Sequence, residues 1–252
     1  MPTEDMSADK ARRIRRILLN LVDKSEIYPR RGTHIDSVSL ALFWRMAELH
    51  ESICSLVVRG HRRDAAVLGR TLCEALITCY WLTNKDQDRR FDRYVNFWGK
   101  VRHENIARTT KYFNYRYVPK SPIEISLIEH AKAEFRRNQW NEKHLADMAR
   151  EALEGERRPD GTCVSLDQDY ELFYFWLSLA SHPSVMAIEC FLPSTGEPFD
   201  SARPPRPYLN PAEDKLVFLS TIWLFRILMR INKTLKLKYD ARLERIFRAI
   251  KE

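Results

Sequence analysis

Glycine is scarce in this chain, with seven in 252 residues, and no stretch alternates polar and apolar residues long enough for a half-buried strand. A sheet-rich fold is therefore excluded. Cysteine is thin as well: Cys54, Cys73, Cys79, Cys163 and Cys190 make five, an odd number without a Cys-x-x-Cys pair. Neither a disulfide framework nor a zinc site is spelled out, and the thiols read as reduced core residues of a cytoplasmic protein. A Gly-rich phosphate loop, a Gly-x-Ser-x-Gly elbow and a His-Glu-x-x-His pair are all missing. A nucleotide-driven motor and a zinc enzyme are excluded with them, and no metal or cofactor is expected. Long apolar runs are missing too. The longest, Leu216 to Met229, is broken by Arg226 and is too short to span a bilayer, and the N-terminus has the wrong pattern for a secretory signal. No membrane attachment is expected.

What the chain does have is 44% hydrophobic residues and an abundance of Leu, Ala, Arg, Glu and Lys, which favours helix. The expected fold is all-α, a single-domain antiparallel helical bundle. A formal charge of +8 and a pI near 9.3 permit nucleic acid, acidic protein or an anionic surface as partner without choosing among them.

Residues 1–34 read as a basic N-terminal helix and loop. The helix, from Ala8 to about Lys24, sets Ile14, Leu18, Leu19 and Val22 opposite an arginine-rich face. Residues 35–252 form the bundle, with a core from about 36 to 191 and C-terminal helices over 211–250. A helix from Asp36 to Arg59 stops at Gly60, and the next, within His61–Asn84, is apolar over most of its girth and central to the fold. Asp86 to Thr110 follows with Phe91, Tyr94, Val95, Trp98, Val101 and Ile106 inside, and Arg89, Arg90, Arg93, Lys100, Arg102 and Arg108 on the polar side. Leu166 to Ser181 is a second heavily buried helix, capped by Asp167 or Asp169. Six prolines make 192–211 irregular, and Asn210-Pro211-Ala212-Glu213 starts a helix that runs to Leu235. A short basic helix from Tyr239 to Ile250 closes the chain.

Chemistry is sought where buried helices keep polar residues. On the central helix Arg70, Thr71, Glu74 and Thr78 share one narrow wedge, and on the later one Glu171, Tyr174, Ser178, Ser181 and His182 share one stripe. Burying both is easiest if the two face each other, which would gather Arg70, Glu74, Ser181 and His182. As an anion or phosphodiester site, Arg70 would stabilise phosphate charge, Glu74 would orient it, and His182 would shuttle a proton. As structure alone, the same residues would fix helix register. After the fourth helix, Lys111 and Arg116 interleave with Tyr112 and Tyr115, a mix that can stack bases and hold phosphates or simply anchor a loop.

The pattern GRTLCEALITCYWL, followed about a hundred residues later by LASHPSV, resembles a family of bacterial helical proteins known only as a domain of unknown function, with Arg-x-Leu-x-Glu early and Ser-His-Pro late. That family looks related to the HEPN superfamily of helical, often dimeric bundles, many of them metal-independent ribonucleases of defence and toxin systems. The resemblance covers roughly 36–191 and implies Arg70, Glu74 and His182 as site residues, RNA as a partner and a homodimer or partner-protein complex. The HEPN ribonuclease pattern, an Arg followed by a His with four to six residues between them, is not met at His182, where Phe175, Trp176 and Leu177 stand instead. Arg45 with His50 and Arg137 with His144 do fit the spacing, and the former, on a core helix, is the reserve pair. Two functions follow: an RNA-directed protein, or a non-catalytic interaction module with a buried Arg/Glu/His network.

Overall fold

The structure, a computed structural model, describes residues 6–23, 35–113, 122, 125–126, 129, 143–152, 166–174, 177–178 and 215–251. Among them all regular structure is helical and no strand occurs. The principal helices are α1 (Ala8–Asp23), α2 (Ile35–Val58), α3 (Arg62–Leu82), α4 (Gln87–Phe113), α5 (Leu145–Glu151), α6 (Leu166–Gln168), which leads into a π-helical segment over Asp169–Tyr174, α7 (Leu216–Leu235) and α8 (Asp240–Lys251).

Local chemistry sets the ends. Gly60 takes a left-handed φ of +81°, its amide bonds Val57 O at 3.0 Å, and His61 N bonds Leu56 O at 2.8 Å. This paired closure satisfies the last carbonyls of α2 and turns the chain directly into α3. At the far end, Thr83 Oγ1 donates to Cys79 O at 2.7 Å. Between α7 and α8 the left-handed residues are Lys236, φ 54°, and Lys238, φ 61°, and buried Asn232 organises the corner by donating to Asp240 Oδ1 and accepting from Tyr239 N, both at 2.9 Å.

Ala65, Ala66, Leu72, Cys73, Leu76, Ile77, Cys79 and Leu82 of α3 are fully buried, against α2 on one side and α7 on the other. By length and composition alone α3 is apolar enough to cross a bilayer; its burial here is that of a core helix. Gly69 lets α7 approach: a Cβ built there would stand 2.5 Å from Leu216 Cδ1. Further along, Tyr80 meets Arg226 and Thr83 meets Arg230, so the residue order runs the same way along α3 and α7. Along α1 and α2 it is opposed, with Arg12 bonding Glu51 and Arg15 bonding Ala47 O.

On the arginine-rich face of α1, Arg12 also reaches Ser55 Oγ at 3.0 Å, and Arg15 pairs with Glu51 at 3.4 Å, because Glu51 stands where α1 crosses α2. Three expectations change. Arg90, expected on the polar side of α4, is buried; it donates to Trp81 O at 2.6 Å, covers the Trp81 ring at 3.9 Å and bonds Glu151. Lys100 is also buried, and Val101, expected inside, is exposed. α7 is no peripheral addition, since its Trp223, Leu224, Ile227, Leu228 and Ile231 are fully buried in the same core as α3. The proposed start of α7 at Asn210 lies outside the described residues.

Candidate functional site

The seam between α3 and the π-helical segment is one of the places where polar residues meet inside the apolar interior. Winding explains how one short segment serves two clusters. An α-helix would set residues 169 and 174 about 140° apart, whereas hydrogen bonds running i to i+5 return the second residue to nearly the same side as the first. Asp169 and Tyr174 thus both point at neighbouring helices.

Tyr174 lies between Arg70 and Glu74. Arg70 Nη2 donates to the Tyr174 hydroxyl at 3.1 Å, and the hydroxyl donates to Glu74 Oε1 at 2.8 Å. The cation and carboxylate pair directly at 3.3 Å, with Arg70 and Glu74 side chains 25% and 39% exposed. The cluster therefore sits at a rim, reachable by solvent. The guanidinium also stands 5.2 Å from the Tyr174 ring centre, and Tyr170 stacks on that ring at 4.9 Å. Burial pushes the Tyr174 hydroxyl above its ordinary pKa, reinforced by its bond to Glu74 and opposed by Arg70. Burial disfavours the Arg70 charge, but the bond to Tyr174 and the Glu74 carboxylate outweigh it and raise its pKa. The result is a fixed cation beside a proton-bearing oxygen.

Deeper in the same seam lies a second cluster. Asp169 Oδ1 accepts from Trp223 Nε1 at 3.1 Å, and Oδ2 accepts from Arg226 Nη1. Burial opposes the Arg226 charge, and the Asp169 carboxylate overcomes that and raises its pKa. Tyr80 donates to Arg226 O at 3.2 Å, while Arg230 Nε donates to Thr83 Oγ1 at 2.6 Å and stands 5.4 Å from the Tyr80 ring centre. With Arg90 on Trp81 O, arginines from two helices meet the carbonyl end of α3, where the helix dipole favours positive charge. Cys73 is fully buried there, and burial, with Asp169 nearby, raises its thiol pKa well above the ordinary value.

The expected site residues divide as follows. Arg70 and Glu74 do share one cluster, joined by Tyr174 of the opposite stripe. Ser181 and His182 lie outside the described residues, as do Tyr115 and Arg116. Lys111 is exposed near the end of α4, and Tyr112 belongs to that helix, which extends through Phe113. The reserve pair is not brought together. Arg45 is 62% exposed and pairs with Glu48 at 3.3 Å, whereas His50 is fully buried with Nε2 at 2.9 Å from Thr221 Oγ1. Thr221 donates its own proton to Val217 O, so His50 Nε2 is the donor in their bond. Burial, aided by Arg15 and Arg12, lowers the His50 pKa to about 3. Cys54, Cys73 and Cys79 are buried and take part in no disulfide. Among the described residues, no group of three or more His, Cys, Asp or Glu is placed to hold a metal ion.

Sequence reasoning missed Tyr174 as a partner of Arg70, although its place on the polar stripe was the available signal. It read Asp169 as a cap and Arg226 as a break in an apolar run. An Arg inside the apolar run of α7 and an Asp opening an earlier buried segment are a matched pair, in contact although 57 residues apart.

The chain matches no curated protein and no solved structure. A family model does match, over residues 36–197, and it covers α2 to α5 and the π-helical segment with Arg70, Glu74, Asp169 and Tyr174. That span is well over half of the chain, which therefore belongs to the family of unknown function DUF5677.

Proposed function

We propose that this protein is RNA-directed, with Arg70, Glu74 and Tyr174 as the phosphate-facing cluster of an HEPN-like antiparallel bundle. One observation carries the reading: a cation held by a carboxylate and a tyrosine hydroxyl at a solvent-reachable rim. Arg70 would hold the non-bridging phosphate oxygens, Glu74 would keep it aimed, and the net charge of +8 would draw the polyanion in. If the phosphodiester is cleaved, the step is metal-independent, with His182 moving the proton. The working form is a cytoplasmic homodimer or a complex with a partner protein, in a bacterial defence or toxin setting.

The test is RNA binding at 50 and 200 mM salt, with cleavage scored in the presence of EDTA. Binding that weakens steeply with salt, and a well-folded Arg70→Ala variant that loses it, is the expected result. No affinity at low salt refutes the reading.

A second reading, a non-catalytic interaction module, is favoured by the way Arg70, Tyr174 and Glu74 satisfy one another. On that reading Arg70→Ala lowers the melting temperature as severely as it lowers any activity.

A further inference from the structure

Arg226 is placed unlike the other arginines of the interior. Its side chain is 8% exposed, and only one edge of the guanidinium is used. Nη1 donates to Asp169 and the Tyr80 hydroxyl helps to hold the charge, whereas Nε and Nη2, both buried, have no hydrogen-bond partner among the described residues. Those two atoms form the side-on edge of the guanidinium, a rigid pair of parallel N–H donors that matches two oxygens of one carboxylate or phosphate. A buried donor without an acceptor is destabilising, more so when the group is charged, so two on one side chain are a substantial penalty unless an acceptor meets them.

The surroundings hold that edge in place. Asp169 is itself fixed by Trp223 Nε1, so the guanidinium cannot swivel its second edge onto the same carboxylate without breaking this arrangement. Arg226 lies 5.7 Å from the Tyr80 ring centre and Arg230 lies 5.4 Å from it, which puts a second positive charge beside the first. Asp169 balances the Arg226 charge, so it is the fork geometry that favours an occupant with two adjacent oxygens.

We propose that the Nε/Nη2 edge of Arg226 is a binding site for a small oxyanion, a carboxylate or phosphate group, enclosed between α3, the π-helical segment and α7. It is separate from the rim cluster and does not depend on RNA being the substrate. Binding there would lock α7 to the π-helical segment through one guanidinium with both edges engaged.

The experiment uses the whole chain with arginine labelled in 15N, and follows the slowly exchanging guanidinium Nε–H signals while inorganic phosphate or, separately, acetate is added at constant ionic strength. The Arg226 signal is identified by its proximity to the Trp223 indole proton. The expected result is a saturable shift of that signal with one of the two anions, accompanied by a rise in melting temperature, and loss of both in Arg226→Lys, which keeps the charge but not the fork. The arm that saturates tells carboxylate from phosphate. An Arg226 signal unmoved by both anions in the wild-type protein overturns the proposal, whether or not the variant folds, and leaves the RNA reading standing.

Discussion

His50 shows how far burial can change a side chain's character. Its ring is enclosed between α2 and α7, and its pKa falls from 6.5 to about 3. The unfolded chain takes up a proton near 6.5 while the folded one does not until about 3, so stability is lost as pH falls through that window. The slope is about 1.4 kcal/mol per pH unit. We expect the urea midpoint to drop between pH 6.5 and 5, above most carboxylate titration, and to drop less in His50→Gln; equal slopes would place the effect elsewhere. Tyr174→Phe removes one hydroxyl that serves two partners, and we expect a loss of roughly 1 kcal/mol in chemical denaturation. At this scale the sequence was a partial guide. Spacing put Arg70 and Glu74 together because they lie one turn apart, but the partners of Arg90 and Arg226 are set by tertiary contacts that periodicity does not encode.

Whole helices were far more legible. α1, α2, α3, α7 and α8 end within a residue or two of where Gly60, the apolar rhythm and the charge pattern put them, because each carries a broad apolar stripe and a clear stop. The π-helical winding was not legible, since a run such as DYELFY satisfies an α pattern equally well and the choice is made by what Asp169 and Tyr174 must reach. Two element-scale predictions follow from contacts. At Gly69, alanine gains about 1 kcal/mol of helix propensity but must displace Leu216, so Gly69→Ala should stay within about 1 kcal/mol of the parent. Gly69→Leu has no such room and should lose roughly 1–3 kcal/mol or more, read by thermal melting. Arg90→Met strips the buried cap from Trp81 O and leaves Glu151 with Lys143 alone on its carboxylate. Loss of about 3 kcal/mol is expected, with faster amide exchange over α5 as the local sign.

At the scale of the molecule, one large cluster of buried apolar residues joins α1, α2, α3, α5, α7 and α8, beside a smaller one at Ala11, Cys54 and Val217. What sequence reasoning misjudged was the rank of its parts. It placed α7 outside the core span because the resemblance ends near residue 191, yet Arg230 of that helix meets the carbonyl end of α3 and Tyr80 bonds Arg226 O. The inherited unit and the folding unit therefore have different borders. A fragment cut at the family limits, 36–197, would lack Trp223, the hydroxyl that His50 bonds and the guanidinium that neutralises Asp169. Expressed alone, it should fail to melt cooperatively and should precipitate, whereas a longer piece reaching Leu235 should stay monodisperse. Anyone trimming relatives of this chain for study would do better to count outward to the next arginine-bearing apolar helix than to stop where the shared pattern fades.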